Sequence, residues 1–108
     1  MKPTVREALD RLLIVAQSRT GQGRKVANML LSWWNADTCG AFDLRDLWGL
    51  DADIKTDAVW VLVYAATACR YPDTLGFEPQ FERLVRCWRP ELIREHEASV
   101  ERGRGVRL

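Results

Sequence analysis

Residues 58–69, AVWVLVYAATAC, form the longest strongly apolar run in the chain, and no other segment constrains the architecture as much. The run is well short of the roughly 20 residues needed to cross a bilayer as a helix, so it is expected to be buried inside a folded protein. Asp51 and Asp53 precede it, and either can cap a helix start; with Asp57 they also sit favourably against the positive end of a helix dipole. A helix that is apolar almost all round reads as a central one packed on several sides. Val59, Trp60, Val61 and Val63 suit a strand as well, which leaves a buried β-strand as the competing reading. Length favours the helix.

The flanking segments supply the rest of a helical core. Val5, Ala8, Leu9, Leu12, Val15 and Ala16 recur at helical intervals opposite Arg6, Glu7, Asp10 and Arg11, and Thr4 with Glu7 has the spacing of a capping box. This first helix is expected to run to about Ser18. Gly21 and Gly23 interrupt it, and Thr20 can cap a second helix carrying Val26, Met29, Leu30, Trp33 and Trp34. So short a connection predicts an antiparallel pair. NADTCGAFD, residues 35–43, reads as a loop. Asp43 can then cap a short turn, LRDLWG, whose Leu44, Leu47 and Trp48 would plug the core. RYPDTLGF, residues 70–77, is a turn. Beyond it Pro79 fits the first turn of a helix with Phe81, Leu84, Val85 and Trp88 as its apolar stripe. Pro90 breaks that helix, and Leu92, Ile93 and Val100 can continue a charged one to about Glu101. The expected fold is all-α: a compact bundle of four to five helices, with a short helical turn between the second and third, over residues 1–101. A flexible tail is expected at 102–108.

Charge gives little direction. Sixteen basic residues against fifteen acidic ones leave a net +1, too small to attract nucleic acid or anionic lipid at long range. From Asp37 to Asp57, six aspartates face only Arg45 and Lys55, a local balance of −4, which is either a solvated face or a docking surface for a basic partner. Three widely spaced cysteines fit reduced thiols in a cytoplasm; Cys69 and Cys87 are expected to be buried and Cys39 accessible. Arg6, Glu7, Asp10 and Arg11 interrupt the apolar stretch that a secretory signal needs.

Sites for chemistry are hard to assemble. The single histidine, His96, lies in a charged segment, and one histidine with scattered cysteines offers no zinc spacing. TGQGRK resembles a phosphate loop only in its glycines and cations, because an amphipathic helix precedes it where a buried strand is required. Asp43 with Asp46, and Asp51 with Asp53, could hold a cation, but each pair also begins a helix. No enzyme, metal or cofactor is expected. Five tryptophans are many for this length, and Trp33 and Trp34, about 100° apart on a helix, cannot face the same way. They build either an aromatic-rimmed core or an anchor for a partner.

LLSWWNADTCGAFDLRDLWGLD (30–51) and YPDTLGFEPQFERLVRCWRP (71–90) resemble the signature stretches of an uncharacterised family of small proteobacterial proteins carried on plasmids and integrative conjugative elements. The resemblance covers roughly residues 10–93 and supplies no activity. It implies a bacterial cytoplasmic setting and association with a mobile element. The expected function is that of a non-enzymatic accessory protein binding a protein partner, or a second copy of itself, through Trp33, Trp34, Asp43, Asp46 and Trp48. The alternative is nucleic-acid binding through Arg19, Arg24 and Lys25, assisted by the arginine-rich tail.

Overall fold

Five α-helices and two 3₁₀ turns follow one another in the computed structural model, which describes residues 1–106, with side chains described to Glu101. The helices are α1 (Pro3–Gln17), α2 (Gly21–Cys39), α3 (Ala52–Ala68), α4 (Glu78–Trp88) and α5 (Pro90–Val106); the turns are Leu44–Gly49 and Pro72–Leu75. The described residues contain no strand, so the β reading of the apolar run falls away.

The α1–α2 pair forms the frame. Helix α1 starts one residue before Thr4, with Pro3 in its first turn, and the expected capping box is not made. Proline is pre-set for that position, where its missing N–H costs nothing. At the connection, Ser18 Oγ donates to the Val15 carbonyl at 2.7 Å, and Thr20 Oγ1 caps α2 by accepting from the Gly23 N–H at 3.0 Å. Gly23 is buried against that turn, and a Cβ there would collide with the Ser18 carbonyl. The glycine thus lets α2 leave the turn hard against the end of α1.

Helix α2 does not stop at Asn35 as expected. It breaks there (φ −158°, ψ 82°) and makes one more turn to Cys39. Asn35 Oδ1 accepts from the Thr38 N–H at 3.2 Å, so the side chain that competes with helical hydrogen bonds also starts the new turn. Gly40 then reverses the chain with φ 101°.

The turn at Leu44–Gly49 is capped as expected, Asp43 Oδ1 accepting from the Arg45 N–H at 2.9 Å. It does not plug the core. Leu44 is 67% and Trp48 78% exposed, while Leu47 is half-buried and Leu50 buried. A 3₁₀ turn advances about 120° per residue, so with Leu47 turned inward its neighbour Trp48 is carried away from the core. Gln22 fastens the far end, donating to Asp51 Oδ2 and accepting from the Asp51 N–H, each at 2.8 Å. Asp51 occupies the cap position of α3 but makes no side-chain cap.

Helix α3 departs furthest from expectation. It lies along α1, tied by paired bonds from the Arg11 guanidinium to Asp57 at 2.8 and 2.9 Å, and buries only Ala58 and Val61 fully. The centre of the core belongs to α1, α2 and α4, with Leu9, Leu12, Ala16, Val26, Ala27, Leu30, Leu31, Phe81 and Leu84 at or near zero exposure. Helix α1 is the main cover of α3, with the Trp33 ring of α2 edge-on to Tyr64. The apolar composition of α3 reflects a lack of polar residues on the other sides, not several neighbours.

Helix α4 follows its stripe: Phe81, Leu84 and Val85 are buried, and Trp88 Nε1 donates to the Ala16 carbonyl at 2.6 Å. Next in sequence, Arg89 leaves helical dihedrals (φ −136°, ψ 53°). Its guanidinium donates to the Cys39 carbonyl at 2.9 Å and to Asn28 Oδ1 at 2.8 Å. The Ala16 and Cys39 carbonyls reached by Trp88 and Arg89 lie in the last turns of α1 and α2, where a carbonyl has no partner within its own helix. Helix α5 restarts at Pro90, packs Leu92 and Ile93 on the core, and runs past the Glu101 limit to Val106. Of the tail expected at 102–108, residues 107 and 108 lie outside the described residues.

Candidate functional site

The structure separates the residues expected to act together. Trp33 and Trp34 lie late in α2, both half-buried, and both set their rings edge-on against Phe81 at 6.0 and 5.9 Å between centroids. Trp33 also meets Tyr64 edge-on at 6.4 Å and donates from Nε1 to the Arg70 carbonyl at 3.0 Å. Their outer edges, with Asn35, Asp37, Tyr71 and Asp73, line an open hollow of about 500 Å³. Neither Asp43, Asp46 nor Trp48 reaches it. Those three sit on the 3₁₀ turn beside the start of α2, where the Lys25 side chain occupies the Cβ space of Gly49. From Lys25 to Trp33 the helix rises about 12 Å.

Asp43 is already engaged. Arg45 donates to it through Nε at 3.1 Å, Nη2 at 2.7 Å and its backbone N–H. The guanidinium contact first, and the backbone bond second, hold the carboxyl at about 2, below the ordinary 3.8. A folded value below the unfolded one means that the pairing favours the folded state above the ordinary carboxylate range and that this is lost as pH falls through about 2. A carbon-detected NMR titration is expected to place the Asp43 midpoint near 2, and Arg45→Ala to move it back towards 3.8. An ordinary midpoint in the wild-type protein would show that the pair does not persist in solution.

Of the alternative basic set, Arg19 and Arg24 are exposed, whereas Lys25 is half-buried against Gly49. The tail arginines fall beyond the described side chains. Gly23 is accounted for by the close approach of α2 to the end of α1, so the phosphate-loop comparison loses its central glycine.

The cysteines are placed contrary to expectation. Cys39 is buried, Cys69 exposed and Cys87 half-buried. The extra turn after Asn35 carries Cys39 inward, while Cys69 ends α3 in a left-handed conformation (φ 53°). Burial raises the Cys39 thiol above its ordinary value; nearby Arg89 opposes this and Glu91 adds to it. His96 is exposed on α5. Among the described residues no three His, Cys, Asp or Glu side chains converge on a metal-sized site, and no helix is long and apolar enough to cross a membrane.

The surface that sequence reasoning missed is the outward face of α3. Val59 is 49% and Val63 56% exposed on the side of the helix opposite Val61, and Trp60, 52% exposed, flanks them. Trp60 stands between two open grooves. Lys55, Thr56, Val59 and Val63 line one with it; Met1, Lys2, Val5, Val63, Tyr64 and Thr67 line the other. The signal was present in the spacing: Ala52, Thr56, Val59, Val63 and Ala66 alternate steps of four and three, the pattern of a helix-packing seam. A run apolar almost all round hides that seam among residues expected to face inward.

No curated protein and no solved structure matches the chain. A family model, that of a family of unknown function (DUF7673), matches residues 6–89, from the first turns of α1 to the arginine that closes α4, and stops short of α5. The chain belongs to that family.

Proposed function

We propose that this protein is a non-catalytic binding protein that works through protein–protein contacts, with the outer face of α3 as its main docking surface. The observation that carries the reading is the half-exposure of Val59, Trp60 and Val63 side by side on one helix face. Contiguous apolar surface of this kind, rimmed by polar groups, marks interaction sites on small soluble proteins. Trp48, exposed on its turn, and the Trp33–Trp34 hollow offer secondary contacts, and the acidic 37–57 segment adds charge beside them. The resemblance of residues 30–51 and 71–90 to proteins of plasmids and conjugative elements supports an accessory role for a mobile element in a bacterial cytoplasm.

The nucleic-acid reading keeps Arg19 and Arg24, exposed around the α1–α2 connection, but a net charge of +1 gives it no supporting field. The test compares wild-type protein with Val59→Glu/Val63→Glu, both immobilised and exposed to bacterial lysate and to untagged copies of the chain. Retention of a protein by the wild type, lost in a variant of unchanged helicity, is expected. If the wild type holds neither itself nor a foreign protein, or the variant holds the same set, the reading fails.

A further inference from the structure

We propose that the occupant of the α3 face is a second copy of this chain, its own α3 laid antiparallel across the first about a two-fold axis level with Val61. The inference rests on the docking reading above and names its partner. Three features of the seam point to self-pairing.

The seam is symmetric under reversal. With the helices antiparallel and the axis at the level of Val61, Val59 of one copy lies opposite Val63 of the other and Thr56 opposite Ala66, while Ala52 lies level with Arg70, so that the four central seam residues pair small or β-branched side chains. An isologous contact requires that property, since the same patch must complement itself. All five seam residues, Ala52, Thr56, Val59, Val63 and Ala66, are exposed, so no internal neighbour competes for them. Four of the five are alanine or valine, which lets two helix axes approach to about 8–10 Å.

The charges at the two ends of α3 are opposite. Asp51 and Asp53 are exposed at its start, and Arg70 is exposed just past its end, where Nη2 donates to the Thr74 carbonyl at 2.8 Å. Antiparallel pairing brings Arg70 of each copy to the aspartates of the other, twice over, whereas parallel pairing sets aspartates against aspartates. The helix dipoles, opposed in the antiparallel arrangement, favour the same choice.

Trp60 flanks the seam next to Met1 and Val5, so a second α3 would cover an indole that α1 leaves half bare. A large, stiff aromatic at the edge of the axis is the kind of residue that dominates binding energy when water is excluded around it.

Multi-angle light scattering from micromolar to millimolar protein is expected to show a mass rising to twice the 12.4 kDa of the chain. Val63→Glu is expected to hold the mass at 12.4 kDa with an unchanged far-ultraviolet spectrum; if it disturbs folding, Val59→Ser/Val63→Ser carries the same test without added charge. Arg70→Glu is expected to weaken association about tenfold, and Asp53→Arg in the same chain to restore it. Monomeric wild type throughout, a dimer indifferent to Val63→Glu, or a charge reversal that fails to restore would each overturn the proposal. A monomer that still captures a foreign protein through Val59 and Val63 would overturn self-pairing alone and leave the docking reading standing.

Discussion

Phe81→Ala is expected to lower the stability of the fold by about 3–5 kcal/mol, the usual cost of truncating a fully buried phenylalanine. The side chain has no exposure and is the common partner of Trp33 and Trp34, whose rings stand edge-on to it at 6.0 and 5.9 Å. Removing the ring takes away both edge contacts and leaves a void whose walls are already held. Trp33 is bonded to the Arg70 carbonyl, so it is not free to swing inward. Urea unfolding followed by tryptophan fluorescence reads the effect as a lowered midpoint, and a loss below about 1 kcal/mol would show that the site collapses freely. Phe81→Leu, which keeps much of the volume, is expected to cost less than half as much.

Gly23→Ala is expected to destabilise by about 1–3 kcal/mol, although alanine is the better helix former by about 1 kcal/mol. The added Cβ would meet the Ser18 carbonyl, Ser18 Oγ at 2.6 Å and the Val15 carbonyl at 2.8 Å. Two of those atoms belong to the backbone at the end of α1, so relief requires moving a helix rather than a side chain. At Gly21, where nothing lies within 4 Å of the same position, the identical substitution is expected to be neutral or mildly stabilising. Thermal denaturation of the two variants side by side checks this, and equal behaviour would refute the steric account.

The helices themselves were largely legible in the residues. The Phe81–Trp88 stripe, the Thr20 cap, the Asp43 cap and the break at Pro90 all depend on neighbours within one or two turns, and such local rules are visible in a linear chain. Even the extra turn after Asn35 comes from a local side-chain bond, one that competes with the loop chemistry of the same residues. What could not be read was which segment covers which. The 58–69 run announces an aversion to water but not the number of its neighbours, and only long-range packing leaves Val59, Trp60 and Val63 outside. Cys39 and Cys69 exchanged places for the same reason: their exposure is set by where α2 and α3 end against distant partners. Nor did local spacing show that Trp48, grouped with Leu44 and Leu47 as a core plug, turns outward, or that Trp33 and Trp34 stand on a different part of the surface from it.

Two consecutive residues, Trp88 and Arg89, reach back 72 and 50 positions to the carbonyls of Ala16 and Cys39. A chain leaving the ribosome amino end first therefore releases the segments of its first two helices long before the clasp that closes them. Until residue 89 emerges, those carbonyls have only water to bind, and the early helical pair has no reason to persist alone. The expected consequence is assembly in a single late step, with no stable half-built form for a protease to trim or a chaperone to hold.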